Sequence, residues 1–189
     1  MTGFRGLAVK AAAPVSLVVI SAFFMVMRSK DEASPVLKTM VVFLALETVG
    51  VWVLPPDARV VLGQYTVVLL YGLFLAMALI PLLAGWTPFT TFFAKKTASK
   101  DFWETDIFRQ INRNMTGSWA GLFFACGLLS LSPSIFPKLG VMPWTLVFRL
   151  VLPAALLLGP GRMLNKRYPP YYLKKIGLGP QNPETTARG

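Results

Sequence analysis

DFWETDIFRQINRNMTGSWAG, residues 101–121, begins as a charged amphipathic segment and passes into an apolar one with no loop between. Asp101 can act as an N-cap, with Glu104 three residues on in the spacing of a capping box. Glu104 and Asp106 fall in the first turn, where the helix dipole favours negative charge. Trp103, Ile107, Phe108, Ile111 and Met115 recur at helical spacing and form one apolar face, while Lys100, Arg109 and Arg113 lie off it. Oil on one side and cations on the other fit a helix resting on a membrane surface, about 101–114, with its cations near anionic headgroups. Near 112–117 the chain is then expected to turn down into the bilayer. The competing reading is a solvated helix packed on the rim of a bundle.

The rest of the chain identifies the solvent. Of 189 residues, 54% are hydrophobic and 14% charged, against about 25% charged in an ordinary soluble domain. The apolar residues gather in five blocks at about 7–27, 36–54, 60–83, 115–131 and 141–158. Each is long enough to cross roughly 30 Å of hydrocarbon at about 1.5 Å rise per residue, the fourth only just. Backbone N–H and C=O groups find no water there, so each span must satisfy itself as a helix. The expected fold is all-α: one bundle of five transmembrane helices over 1–176 with the interfacial helix before the fourth span, then a disordered tail over 177–189. The first block is longer than a signal-peptide core and is followed by no small-residue cleavage pattern, so it is read as a retained span.

The net charge of +11 follows the connections between spans rather than a nucleic-acid-binding stripe. With the N-terminus outside, the inner side holds Arg28, Lys30 and Lys38, then Lys95, Lys96, Lys100, Arg109 and Arg113, then six cations after the last span. The outer side holds Arg5, Lys10, Arg59 and Lys138. The positive-inside bias therefore predicts an outside N-terminus and a cytoplasmic C-terminus in a bacterial inner membrane, with Arg5 and Lys10 dissenting.

Prolines punctuate the short connections at Pro55–Pro56 and Pro133–Pro137, and Pro88 is expected to close the third span. Gly117 and Gly121 form G-x-x-x-G, a spacing that lets helix backbones approach closely in lipid. It is read as a packing face inside the bundle, with self-association as the sharper alternative. The basic, tyrosine-rich segment after the last span carries Arg162, Lys166, Arg167, Tyr168, Tyr171, Tyr172, Lys174 and Lys175. These suit an anchor on an anionic inner leaflet or a docking surface for a protein partner.

The chain has no histidine and one cysteine, Cys126, so the usual general base and the zinc, haem and iron–sulfur ligand sets are missing. No phosphate loop or nucleophile elbow is present. The expectation is a non-enzymatic protein with no metal and no cofactor. Two charges lie inside spans, Glu47 in the second and Arg149 in the fifth. Counted along their helices, both sit about 10–12 Å below the outer edge. Equal depth and opposite sign predict a Glu47–Arg149 pair, either as a structural tie or as a gate in a transport path.

PFTTFFAKKTASKDFWETDIFRQINRNMTGSWAGLFFACGLL, residues 88–129, resembles small bacterial inner-membrane proteins related to intracellular septation protein A. The resemblance lies in Pro88 and Phe89 after a span, a basic stretch, Trp103 and Phe108, the Ile111-Asn112-Arg113 segment and Trp119 in the next span. NKRYPPYY, residues 165–172, is similar to the aromatic, basic end of such proteins. It covers the C-terminal half and implies a five-span protein linked to the cell envelope or division, with no catalytic residues to carry over.

The leading expectation is a membrane protein acting through lipid and protein contacts, either envelope- or division-associated or an accessory subunit of a larger membrane complex. The alternative is a small transporter or channel using Glu47, Arg149, Gln64 and Tyr65. Nucleic acid is excluded as a partner.

Overall fold

The computed structural model describes residues 34–177. The expected first span, about 7–27, and the tail beyond 177 lie outside them. The described residues are all helical, with no strand among them, and four helices are long and apolar enough to cross a membrane.

Helix α1 runs Pro35–Val53. Ser34 caps it, its Oγ accepting from the amide of Leu37 at 3.2 Å, and Pro35 supplies a preset φ at the first position. Helix α2 runs Pro56–Leu83, so the turn between them is only Leu54–Pro55. Arg59 braces it by donating from Nε to the Leu54 carbonyl at 2.7 Å. The end of α2 is set by Gly85 rather than Pro88. Gly85 adopts φ +72°, and the Trp86 amide reaches back to the Pro81 carbonyl at 2.8 Å. That is a Schellman ending, which a side chain at Gly85 would strain.

A short helix, α3 (Phe89–Ala94), follows where sequence showed only aromatic character. Helix α4 then runs unbroken from Asp106 to Ile135, about 45 Å at 1.5 Å per residue. The expected ramp and fourth span are therefore one rod, with no turn near 112–117. The cap is also not Asp101, which lies in a 3-10 turn, Lys100–Phe102. It is Thr105, whose Oγ1 accepts from the Phe108 amide at 3.2 Å. A fused rod resolves the marginal length of the fourth block, because it borrows two turns from the ramp.

The last rod, α5, runs Trp144–Lys175 and carries π turns at Val147–Val151 and Leu157–Gly161. It starts later and ends much later than the expected span of 141–158. The basic aromatic segment forms its final turns, Arg162–Lys175, rather than a separate tail, and it stays helical through Pro169 and Pro170.

Helices α2 and α4 form the central pair. Tyr71, Phe74 and Ala78 of α2 meet Ala120, Phe123 and Cys126 of α4, with Phe89 of α3 closing one end. Phe74 stacks on Phe123 at 5.3 Å between centroids, and Trp119 and Phe89 flank the same ring. Helix α1 packs on α2, and α5 packs on α4. Away from these seams the large apolar side chains point outward: Leu46, Val49, Val60, Leu83, Phe124, Leu150 and Leu158 are all exposed. Water does not tolerate so continuous an apolar surface, so the chain is a membrane protein whose outer surface is solvated by lipid.

Candidate functional site

The expected Glu47–Arg149 pair does not form among the described residues. Glu47 Oε2 instead accepts from Thr66 Oγ1 of α2 at 3.2 Å, and Arg149 Nη2 donates to Ser134 Oγ of α4 at 2.9 Å. Similar depth counted along two helices does not decide which helices are neighbours. Helices α2 and α4 stand between α1 and α5, so each charge finds a hydroxyl on its own neighbour. Because α5 starts at Trp144, Arg149 also lies only about 7–8 Å from the start of its helix, within reach of the interface for a long side chain.

The apolar stripe of the ramp faces protein rather than lipid. Phe108, Ile111 and Met115 are buried, and so is Asn112 between them. Trp103 serves its own loop, donating Nε1–H to the Ala98 carbonyl at 3.1 Å beneath the Lys95 ammonium. Ile107 is half-buried, while Arg109 and Arg113 point outward. Arg109 pairs with Glu104 at 3.2 Å and Asp106 at 3.7 Å, contacts that such exposure to solvent leaves weak. The expected leaflet-resting face is thus a correction: the helix belongs to the bundle's rim, because α3 lies against that stripe and excludes lipid from it.

The polar cluster that does this is absent from the sequence reading. Thr90 Oγ1 of α3 donates to the Asn112 carbonyl at 2.9 Å and lies 2.7 Å from Thr116 Oγ1. All three residues are buried. Asn112 Nδ2 turns back to the Phe108 carbonyl at 2.8 Å. The signal was present: Asn112 and Thr116 sit four apart on the apolar stripe, where a polar side chain needs a partner inside the protein. Thr90 and Asn112 also line a cavity of about 670 Å³, whose wall includes Phe74, Phe89, Phe93 and Phe123.

Gly117 and Gly121 do not pack inside the bundle of described residues. Both are exposed, and a Cβ at either would meet nothing within 4 Å. With Phe124 and Leu128, at 55% and 52% exposure, they form one outward stripe of α4 at spacings of four, three and four. Close packing falls on other glycines: Gly161, on which the Trp119 ring lies, and Gly50, against Leu62.

The basic segment divides between two faces of α5. Tyr168 OH accepts from Asn114 Nδ2 of α4 at 2.8 Å, and Tyr172 stacks on Tyr168 at 6.0 Å. Asn165 Oδ1 accepts from Trp119 Nε1 at 3.0 Å. These side chains tie the end of α5 to α4. Arg162, Lys166, Arg167, Tyr171, Lys174 and Lys175 stay exposed, and none has an acid within ion-pair distance among the described residues. No three His, Cys, Asp or Glu side chains gather to hold a metal among the described residues.

No protein-family model, curated protein or solved structure matches the chain.

Proposed function

We propose that the chain is a non-enzymatic multispanning protein of the bacterial inner membrane that works by contact, with the basic ends of its helices in the cytoplasm. Its role is to hold another membrane protein against the bundle, as an envelope- or division-linked partner or an accessory subunit. The resemblance of residues 88–129 and 165–172 to the septation-protein-A group agrees with this reading. One observation carries it: among the described residues, the central helix α4 leaves a stripe of Gly117, Gly121, Phe124 and Leu128 uncovered. In lipid no hydrophobic force drives helices together, so close backbone approach at small residues decides pairing. A stripe with two glycines beside two large apolar side chains offers a groove and a ridge to one further transmembrane helix. The transporter alternative, drawn from Glu47, Arg149, Gln64 and Tyr65, gains no support from the separate hydroxyl partners of the two charges.

The test is a photo-crosslinker placed at Ser118, beside the glycines, and a control at Val49 on α1, in cells. A discrete adduct from Ser118 that Gly117→Leu/Gly121→Leu abolishes supports the reading, and its mass tells a second copy from a different protein. Lipid adducts alone at Ser118 would overturn it.

A further inference from the structure

Besides partner contact, the outward face of α5 carries a groove whose chemistry is separate from the α4 stripe. It holds about 690 Å³ and is lined by Leu158, Gly159, Arg162, Met163, Lys166 and Arg167 among others. Its origin is local. The π turn Leu157–Gly161 widens the helix, Gly159 contributes no side chain, and a notch remains between Leu158 and Met163. The opposite face is fixed: Gly161 lies under Trp119, Asn165 accepts from the same indole, and Tyr168 is held by Asn114. Rotation of the rod about its axis is therefore blocked, and the groove cannot turn inward.

We infer that this groove is a site for one anionic phospholipid, with the phosphate on Arg162, Lys166 and Arg167 and an acyl chain along Leu158 and Met163. Charge complementarity is the first reason. Three cations crowd two turns, with Arg162 and Lys166 at i,i+4, a spacing at which like charges repel. None is neutralised by an acid among the described residues. Order along the axis is the second. Leu158, 74% exposed, precedes Lys166 by eight residues, or about 12 Å of rise. Oil lies on the membrane side and cations on the side of the chain's basic ends, the polarity of a phospholipid lying in its leaflet. A free phosphate would use the cations and leave the apolar half unoccupied. The inference rests on the same orientation as the proposed function but uses the other side of the bundle.

The full-length protein, delipidated in mild detergent, is titrated with phosphatidylglycerol and bound lipid is counted by native mass spectrometry. Arg162→Gln/Lys166→Gln is expected to weaken the first lipid about tenfold. Lys174→Gln/Lys175→Gln removes the same charge beyond the groove and is expected to change it less than about twofold. Gly159→Phe, whose site has free space for a Cβ, fills the notch with every cation in place and is expected to weaken binding about tenfold too. Equal losses from the two charge pairs would mean diffuse attraction and overturn the site. Displacement of the lipid by millimolar glycerol phosphate would overturn the acyl-chain half. Failure here leaves the Ser118 crosslink untouched, so the two readings fall separately.

Discussion

The ring of Trp119 occupies the space that a side chain at Gly161 would need: a Cβ there would lie 2.7 Å from Cη2. The indole cannot swing away freely, because its Nε1–H is committed to Asn165 on the same helix. Gly161→Ala is therefore expected to lose about 1–3 kcal/mol through overpacking, read as a lowered unfolding midpoint in detergent. Trp119→Leu should remove most of that penalty in the double variant, a non-additivity that contact requires. A Gly161→Ala protein as stable as the parent would show that the ring is not held there.

Gly117 gives the opposite sign. It is a helix-interior glycine with open space around it among the described residues, so Gly117→Ala should raise stability by about 0.5–1 kcal/mol through helix propensity alone. The same assay run on both glycines separates a packing role from an exposed one.

Thr90 carries two buried bonds, to the Asn112 carbonyl and Thr116 Oγ1. Thr90→Val keeps the shape but removes both bonds and leaves the buried Thr116 hydroxyl without its partner on α3, at about 1–3 kcal/mol. Thr90→Ser restores the hydroxyl and should recover most of the loss. Hydrogen exchange should then show α3 opening from α4 in the valine variant and not in the serine one.

Glu47 and Arg149 answer to different hydroxyls, so Glu47→Gln and Arg149→Gln should add within about 0.5 kcal/mol in the double variant. Thr66→Val should lose stability with Glu47 present and much less in a Glu47→Leu background. Coupling of more than about 1 kcal/mol between Glu47 and Arg149 would restore the pair that depth alone suggests.

Cys126 is buried, with Sγ 3.8 Å from the Pro153 carbonyl, and should resist maleimide until the bundle is unfolded. That silence makes single-cysteine topology mapping possible. Lys100→Cys should label only from the cytoplasm and Lys138→Cys only from outside, and the reverse result would invert the orientation.

Much of the architecture was legible before any coordinates. The described apolar blocks became helices within a few residues of their expected limits at α1 and α2, because hydropathy and helix rise act along the chain and need no neighbour. The joins were misread. Asp101 and Glu104 have capping spacing, yet Thr105 caps α4, since a cap is chosen by where the preceding loop delivers the backbone. The last span was drawn only to 158 and the basic, tyrosine-rich segment after it was read apart, whereas Asn165 and Tyr168 are contacts to α4.

By itself, the sequence determined the solvent, the helical class and the end at which the cations collect. Those depend on transfer energy and charge, which sum residue by residue. Only the tertiary structure decided which face each residue turns to which neighbour. Glu47 and Arg149 carry opposite charges but share no seam, the Gly117–Gly121 stripe faces out, and Asn112 faces in. Azimuth and neighbour order come from side chains of distant segments packing together, which no count along one helix contains.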